Sequence, residues 1–300
     1  MVSIIKNSKI STLHIIPELA QGGAETQLIE LIKGSGKHSV LQLLDDGPLT
    51  SLAKKTEASI FSAKMLKTLP DPRVFLKLSK IYSLTNPDII YAWMYHSALI
   101  TSIWKSFFLK KDIPLVWAIR CSNMDTKYYS YRLKTTIYGC KLISRYPNKI
   151  IYNSMTGARI HEELGFSQKG KKVIFNGIDT KRFKPRLNIR EKLRKKYNIP
   201  KTSLVAVHVA RVDPMKDHQT LFKAFKLTAE KIKNFYLVLI GKGTKEISCL
   251  PSKVIALGAI EDVSSLYNIA DISVSSSSFG EGFSNVIAES MACGLIPVAT

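Results

Sequence analysis

Residues 204–217 read Leu204-Val-Ala-Val-His-Val-Ala-Arg-Val-Asp-Pro-Met-Lys-Asp217, and this stretch decides the fold. Its first seven residues are an aliphatic run of strand length. A polar loop follows, and Asp217 then offers a side-chain oxygen to the free N–H groups of a helix opening behind it. Strand, short loop and helix in that order are half of a parallel βαβ unit.

The same alternation repeats outward along the chain. Runs rich in Val, Ile and Leu at 13–16, 39–44, 88–92, 115–119 and 149–152 alternate with helix-patterned stretches and make one doubly wound α/β unit; 204–210, 236–240, 254–257, 272–274 and 296–299 make a second. Between them 181–202 is charged, contains Pro185 and Pro200, and reads as an interdomain linker with one short helix. The expected organisation is two Rossmann-like domains, 1–180 and 203–300, joined by 181–202. Such sheets bind ligands at the carboxyl ends of their strands where strand order reverses, so a ligand is expected in a cleft between the domains.

With 300 residues, 45% of them hydrophobic, the chain can bury one large core or two moderate ones. Its four cysteines lie far apart without a C-x-x-C pair, and no metal-ligand spacing surrounds its six histidines, which predicts a reducing cytoplasm and no bound metal. Neither a signal-peptide pattern nor an apolar run of membrane-spanning length is present. The net charge of +21 implies a polyanion: nucleic acid, anionic membrane or a phosphorylated small molecule. A lysine-rich surface can equally reflect base composition alone. The lysines are scattered, without an arginine-rich tract or an aromatic RNA-binding motif, which argues against nucleic acid. Residues 104–111 and 127–149 mix aromatics with Lys and Arg, as a surface resting on the inner face of an anionic plasma membrane would.

Three motifs carry chemistry. Leu19-Ala-Gln-Gly-Gly-Ala-Glu25 follows a strand and precedes an amphipathic helix; Gly22 and Gly23 allow close backbone approach to an anion at the helix N-terminus, and they also suit a plain tight turn. In the 204–217 stretch, Arg211 and Lys216 are two cations at a strand's carboxyl end that could neutralise a diphosphate without a metal. The third is Gly280-Glu-Gly-Phe-Ser-Asn-Val-Ile-Ala-Glu289, followed by Ser290-Met-Ala-Cys-Gly294. Gly280 and Gly282 permit a sharp loop, Ser284 can cap a helix running to Ala292, and Gly294 can end it. Glu281 and Glu289, so held, can accept hydrogen bonds from sugar hydroxyls, Glu289 from a ribose diol. Two further segments, Ala92-Trp-Met-Tyr-His-Ser97 and Trp117-Ala-Ile-Arg-Cys-Ser-Asn123, also end predicted strands. There His96 could move a proton near neutral pH, or be structural.

Taken in order, these motifs resemble the retaining GT-B glycosyltransferases of family 4, in the branch common in bacterial surface-polysaccharide synthesis. Gly22-Gly23-Ala24-Glu25 looks like the family's glycine loop. Asn176-Gly177-Ile178-Asp179 with Phe183 looks like the entry to its linker, and Ala270-Asp271-Ile272 through Glu281, Glu289 and Ala292-Cys293-Gly294 looks like its E-x7-E region. The resemblance implies that Arg211 and Lys216 hold the donor diphosphate, that Glu281 contacts the donor sugar, that Gly282, Phe283 and Ser284 help to bind the donor, that Glu289 binds ribose, and that His96 lies by the reacting centre. It implies no cofactor and no metal, only a nucleoside-diphosphate-sugar donor as substrate and a glycan or lipid-linked acceptor. Cys121 departs from the pattern, because related sequences often carry histidine beside this arginine. Family members also continue past the strand at 296–299, so the second domain is expected to be incomplete here.

The expected activity is retaining, metal-independent transfer of a hexose-type sugar, with no evident protein nucleophile. One alternative is a non-catalytic nucleotide-sugar-binding remnant. A dinucleotide-dependent oxidoreductase would need a G-x-G-x-x-G after the first strand, and none is there.

Overall fold

The computed structural model describes residues 10–66, 71–122 and 130–300. The chain forms two compact units, Met1–Asn176 and Gly177–Thr300. In chain order the first holds β1 (Ser11–Ile16), α1 (Gly23–Ile32), β2 (Lys37–Gln42), α2 (Thr50–Ala53), β3 (Ser59–Ser62), α3 (Arg73–Thr85), β4 (Ile89–Trp93), α4 (Met94–Phe108), β5 (Leu115–Ile119), α5 (Tyr131–Leu142), β6 (Lys149–Tyr152), α6 (Met155–Glu163) and β7 (Lys171–Val173). The second holds α7 (Leu187–Lys196), β8 (Leu204–Val209), α8 (His218–Lys231), β9 (Phe235–Ile240), β10 (Val254–Ala256), β11 (Ile272–Ser275), α9 (Asn285–Ala292) and β12 (Ile296–Ala299), with single 3-10 turns at Pro214–Lys216 and Leu266–Ile269.

Both sheets are parallel throughout the described pairings, in the orders β3-β2-β1-β4-β5-β6-β7 and β10-β9-β8-β11-β12. Strand order therefore reverses between β1 and β4 in the first sheet and between β8 and β11 in the second, and at these places neighbouring loops part to leave a crevice. Central strands are buried on both faces, which is why they read as unbroken aliphatic runs: Leu237, Val238, Leu239 and Ile240 of β9 are each at most 1% exposed. All ten strands expected from sequence form, with ends shifted by up to two residues. Two more appear at the first sheet's margins. β3 reads Ser-Ile-Phe-Ser and stays half-exposed, and β7 is three residues long. An edge strand buries one neighbour only and needs no long apolar run.

The segment 181–202 carries one helix, α7. The unit boundary falls at Asn176, and α7 is bolted to the second unit by Arg194, which is 2% exposed. Its guanidinium donates to the carbonyls of Ile269 (3.0 Å), Lys201 (2.7 Å) and Ser203 (3.0 Å) and to Asp271 Oδ2 (2.9 Å). Asp271 in turn accepts from Val205 N at 2.8 Å and pairs with Arg190.

Cys121, Cys140 and Cys293 are buried and Cys249 is exposed, all four as free thiols. Burial pushes the first three up to about 11, 12 and 11. Among the described residues no helix is long and apolar enough to cross a membrane.

Candidate functional site

The second sheet's reversal point is built by the loops that leave β8 and β11. After β8, Asp213 caps the 3-10 turn by accepting from Met215 N (3.0 Å), and its other oxygen accepts from Arg211 Nε (3.1 Å) and Nη2 (3.0 Å). Asp217 then caps α8, accepting from Thr220 N at 3.1 Å and Thr220 Oγ1 at 2.7 Å, as the sequence suggests. Fixed at both ends, the turn presents Lys216. The loop after β11 is zipped onto it: Ser276 Oγ donates to Lys216 O (2.7 Å) and Ser278 N to Met215 O (2.9 Å). Lys216 Nζ meets the Glu281 carboxylate in a half-buried ion pair, and Ser277 Oγ stands 3.3 Å from both partners.

Lys216 already faces Glu281 and Arg211 already faces Asp213, since a cation held in a half-buried loop needs a counterion there. Arg211 is the looser of the two, its side chain 46% exposed against 15% for Lys216.

Beyond Glu281, residues Gly282, Phe283 and Ser284 make a half-buried turn into α9. Ser284 occupies the N-cap position with extended backbone, but its hydroxyl makes no capping hydrogen bond, which corrects the expected side-chain cap. The other end behaves as expected. Gly294 has φ +82°, its N–H donates to Met291 O (2.9 Å) and Leu295 N to Ser290 O (3.0 Å), closing a Schellman motif. Glu289, on the second turn of α9, accepts from Tyr267 Oη at 2.8 Å. Burial raises its carboxyl above the usual range while the Tyr267 hydrogen bond pulls it back.

Tyr267, Ser277 and Asp213 were not singled out by sequence, nor was the turn after β9. There Gly241 has φ +149°, and a Cβ on it would stand 2.0 Å from Ala210 O, so glycine alone fits. Thr244 Oγ1 donates to Gly241 O (2.9 Å) and accepts from Gly258 N (3.0 Å), which locks this turn beside the β8 loop. The Gly241-Lys-Gly243 spacing directly after an aliphatic run was the available signal.

The first unit repeats the arrangement at β1 and β4. Gly22 is the N-cap of α1 and Gly23 its first residue; Thr26 Oγ1 donates to Gly22 O at 2.9 Å. A Cβ on Gly22 would meet only the Glu25 side-chain carboxylate, so close packing with the backbone does not dictate glycine there. β4 passes into α4 without a loop because Met94 adopts φ +64°, an unusual conformation for a non-glycine residue. His96, two residues on, is exposed, yet the protein around its ring lowers its pKa, so it is neutral at pH 7. Arg120 stacks on the Trp93 ring (4.9 Å) and donates to Asn176 Oδ1 (2.8 Å), and Cys121 packs with its thiol 3.3 Å from Tyr95 Oη. Asn123, the last residue of that motif, lies outside the described residues. The structure thus joins Lys216 and Glu281 directly; Arg211, Gly282, Phe283, Ser284 and Glu289 lie in the same second unit, and Gly22, Gly23 and His96 in the first.

Residues 189–300 match the family model described as glycosyl transferases group 1. The match runs from α7 to the last strand and contains every second-unit residue just named. Among solved structures, the chain is similar to Anabaena Alr3699/HepE in complex with UDP and glucose, at TM-score 0.79 and 21% identity over 97% of this chain and 80% of that one. It is similar to sucrose-phosphate synthase from Thermosynechococcus elongatus, at TM-score 0.76 and 16% identity over 96% and 81%. WaaG, a glycosyltransferase involved in lipopolysaccharide biosynthesis, aligns at TM-score 0.71 and 13% identity over 97% and 80%. No curated protein sequence matches the chain. The fold is GT-B, two Rossmann-like α/β units in one chain.

Proposed function

We propose that this chain is a retaining glycosyltransferase that moves a sugar from a nucleoside-diphosphate donor to a glycan or lipid-linked acceptor in polysaccharide or glycolipid synthesis. The observation that carries the reading is the Lys216–Ser277–Glu281 cluster at the β8/β11 reversal, followed on α9 by the Tyr267-held Glu289.

An arriving diphosphate takes over Lys216 and Arg211, which supply fixed positive charge where the leaving group's charge grows, without a metal. Lys216 is then shared with or withdrawn from Glu281, whose carboxylate is released to accept from hydroxyls of the donor sugar. The ion pair thus holds both groups in place until substrate arrives. Glu289 accepts the ribose diol, with Tyr267 fixing its orientation. The glycine loop and His96 serve the acceptor side, His96 as a neutral imidazole able to take a proton.

The test is a calorimetric titration with a panel of nucleoside diphosphates and their sugars, beginning with UDP because HepE was crystallised with it. Binding is expected with and without chelator, and Lys216→Ala is expected to weaken it about 10- to 100-fold, the loss of one charged hydrogen bond. No binding to any member overturns the reading. Binding abolished by chelator overturns its metal independence.

A further inference from the structure

Away from the candidate site, the first unit exposes a surface that its own fold leaves uncovered. α4 and α5 lie side by side: a Cβ on Gly139 would stand 3.2 Å from the Leu99 side chain, and Cys140 Sγ reaches Tyr95 O at 3.3 Å. On the exposed faces, Ile103 and Phe107 are one turn apart on α4, and Tyr131, Tyr138 and Leu142 recur at helical spacing on α5. Phe107 is 80% exposed, Leu142 64% and Tyr138 60%. Single exposed apolar residues are ordinary, but stripes of them on two adjoining helices are not. Lys105 Nζ sits 5.2 Å over the Tyr146 ring and ties the end of α4 to the turn after α5.

The charge on these two helices has one sign. Neither helix contains an acidic residue, while Lys105, Lys110, Lys111, Lys134, Lys141 and Arg145 lie on them or just beyond. Asp112, the nearest carboxylate along the chain, pairs with Lys105. Where α5 ends, an open cavity of about 800 Å³ is lined by Lys141, Leu142, Arg145 and Lys169.

We infer that this α4–α5 surface docks on an anionic phospholipid bilayer. Phe107, Tyr138 and Leu142 enter the headgroup boundary, and the lysine and arginine heads reach the lipid phosphates with their stems along the apolar stripe. The cavity by Arg145 receives one headgroup. A second copy of this chain is a poor occupant, because it would set one +21 molecule against another. Residues 127–129, which the sequence adds to this surface, lie outside the described residues.

None of these residues belongs to the proposed donor site, so the inference stands or falls separately from it. The test is flotation of the full chain with phosphatidylcholine vesicles and with vesicles containing a third phosphatidylglycerol. Binding is expected to the anionic vesicles only and to be lost in half-molar salt. Phe107→Ser with Leu142→Ser, which leaves the charge unchanged, is expected to weaken binding at least tenfold, as is the triple change Lys110→Glu, Lys111→Glu, Arg145→Glu. Lys192→Glu with Lys195→Glu on α7 is expected to have no effect. Hydrogen exchange on the unaltered chain is expected to slow within 103–111 and 131–146 when vesicles are added. Absent binding, equal binding to both vesicle types, an equal loss in the α7 variant, or protection elsewhere would each overturn the proposal.

Discussion

Tyr267 has a narrow task at the base of the second unit's site. Its ring is buried edge-on to Phe183 at 6.0 Å, and its hydroxyl donates to Glu289. Burial pushes Glu289 toward the neutral acid, and the Tyr267 bond opposes that shift. Tyr267→Phe removes only the opposition, so UDP affinity should fall about fivefold, roughly the 1 kcal/mol of one hydrogen bond, and fall more at pH 6 than at pH 8. Titration at both pH values decides, and unchanged affinity at each would detach Tyr267 from the site. Two buried histidines set a second pH dependence. Burial, then His38, lowers His14 to about 3; burial lowers His208 to about 4, with His218 and Lys216 pushing the same way and the Val274 carbonyl opposing. Both rings are neutral when folded and titrate near 6.5 when unfolded, so their contribution is complete above about 6.5 and is lost as pH falls toward 4 and then 3. The slope approaches about 1.4 kcal/mol per pH unit for each ring. Melting measured from pH 7 to pH 5 should show this fall, and His208→Gln should flatten it. A flat profile in the unaltered chain would refute the assignment.

At the scale of elements, α7 shows how little charge pattern says about burial. Its sequence, Leu-Asn-Ile-Arg-Glu-Lys-Leu-Arg-Lys-Lys, reads as a solvated connector, yet Arg194 is the bolt that fixes it. Breaking a fully buried pair costs about 3–5 kcal/mol; the Asp271 side chain is 29% exposed, so Asp271→Asn should cost about 2 kcal/mol. Urea unfolding measures that loss, and faster amide exchange across 187–196 should accompany it; an unshifted midpoint would mean that α7 is held otherwise. The same contrast marks what was legible in the sequence. β8, β9 and β5 were plain because strands buried on both faces must be aliphatic, whereas β3 and β7 pair on fewer sides and leave no such trace. Lys216, Glu281 and Glu289 stood out through the glycines and caps around them. Their supports did not, since Tyr267 meets Glu289 from 22 residues away and Lys216 meets Glu281 from 65. The second pairing exists only once β8 and β11 are neighbours.

For the whole molecule, the described core clusters divide cleanly. Leu13, Trp104, Trp117 and their neighbours belong to Met1–Asn176, and Val205, Val238, Tyr267 and theirs to Gly177–Thr300. Two cores of this kind unfold as separate cooperative blocks in scanning calorimetry unless contact between the units couples them. If the proposed donor site in the second unit binds as inferred, a nucleoside diphosphate at a hundredfold excess over its Kd should raise only that unit's transition, by about 2.7 kcal/mol of added stability. One transition shifting as a whole would report strong coupling instead. The cysteines add a practical consequence of how the chain is packed. Three thiols are sealed inside, while Cys249 stands exposed between β9 and β10. A maleimide dye added to the native fold therefore finds one attachment point without any engineering, and finds it on the second unit. Fluorescence from that label can follow ligand arrival in real time, and a count of four dyes per molecule appears only once the protein has come apart.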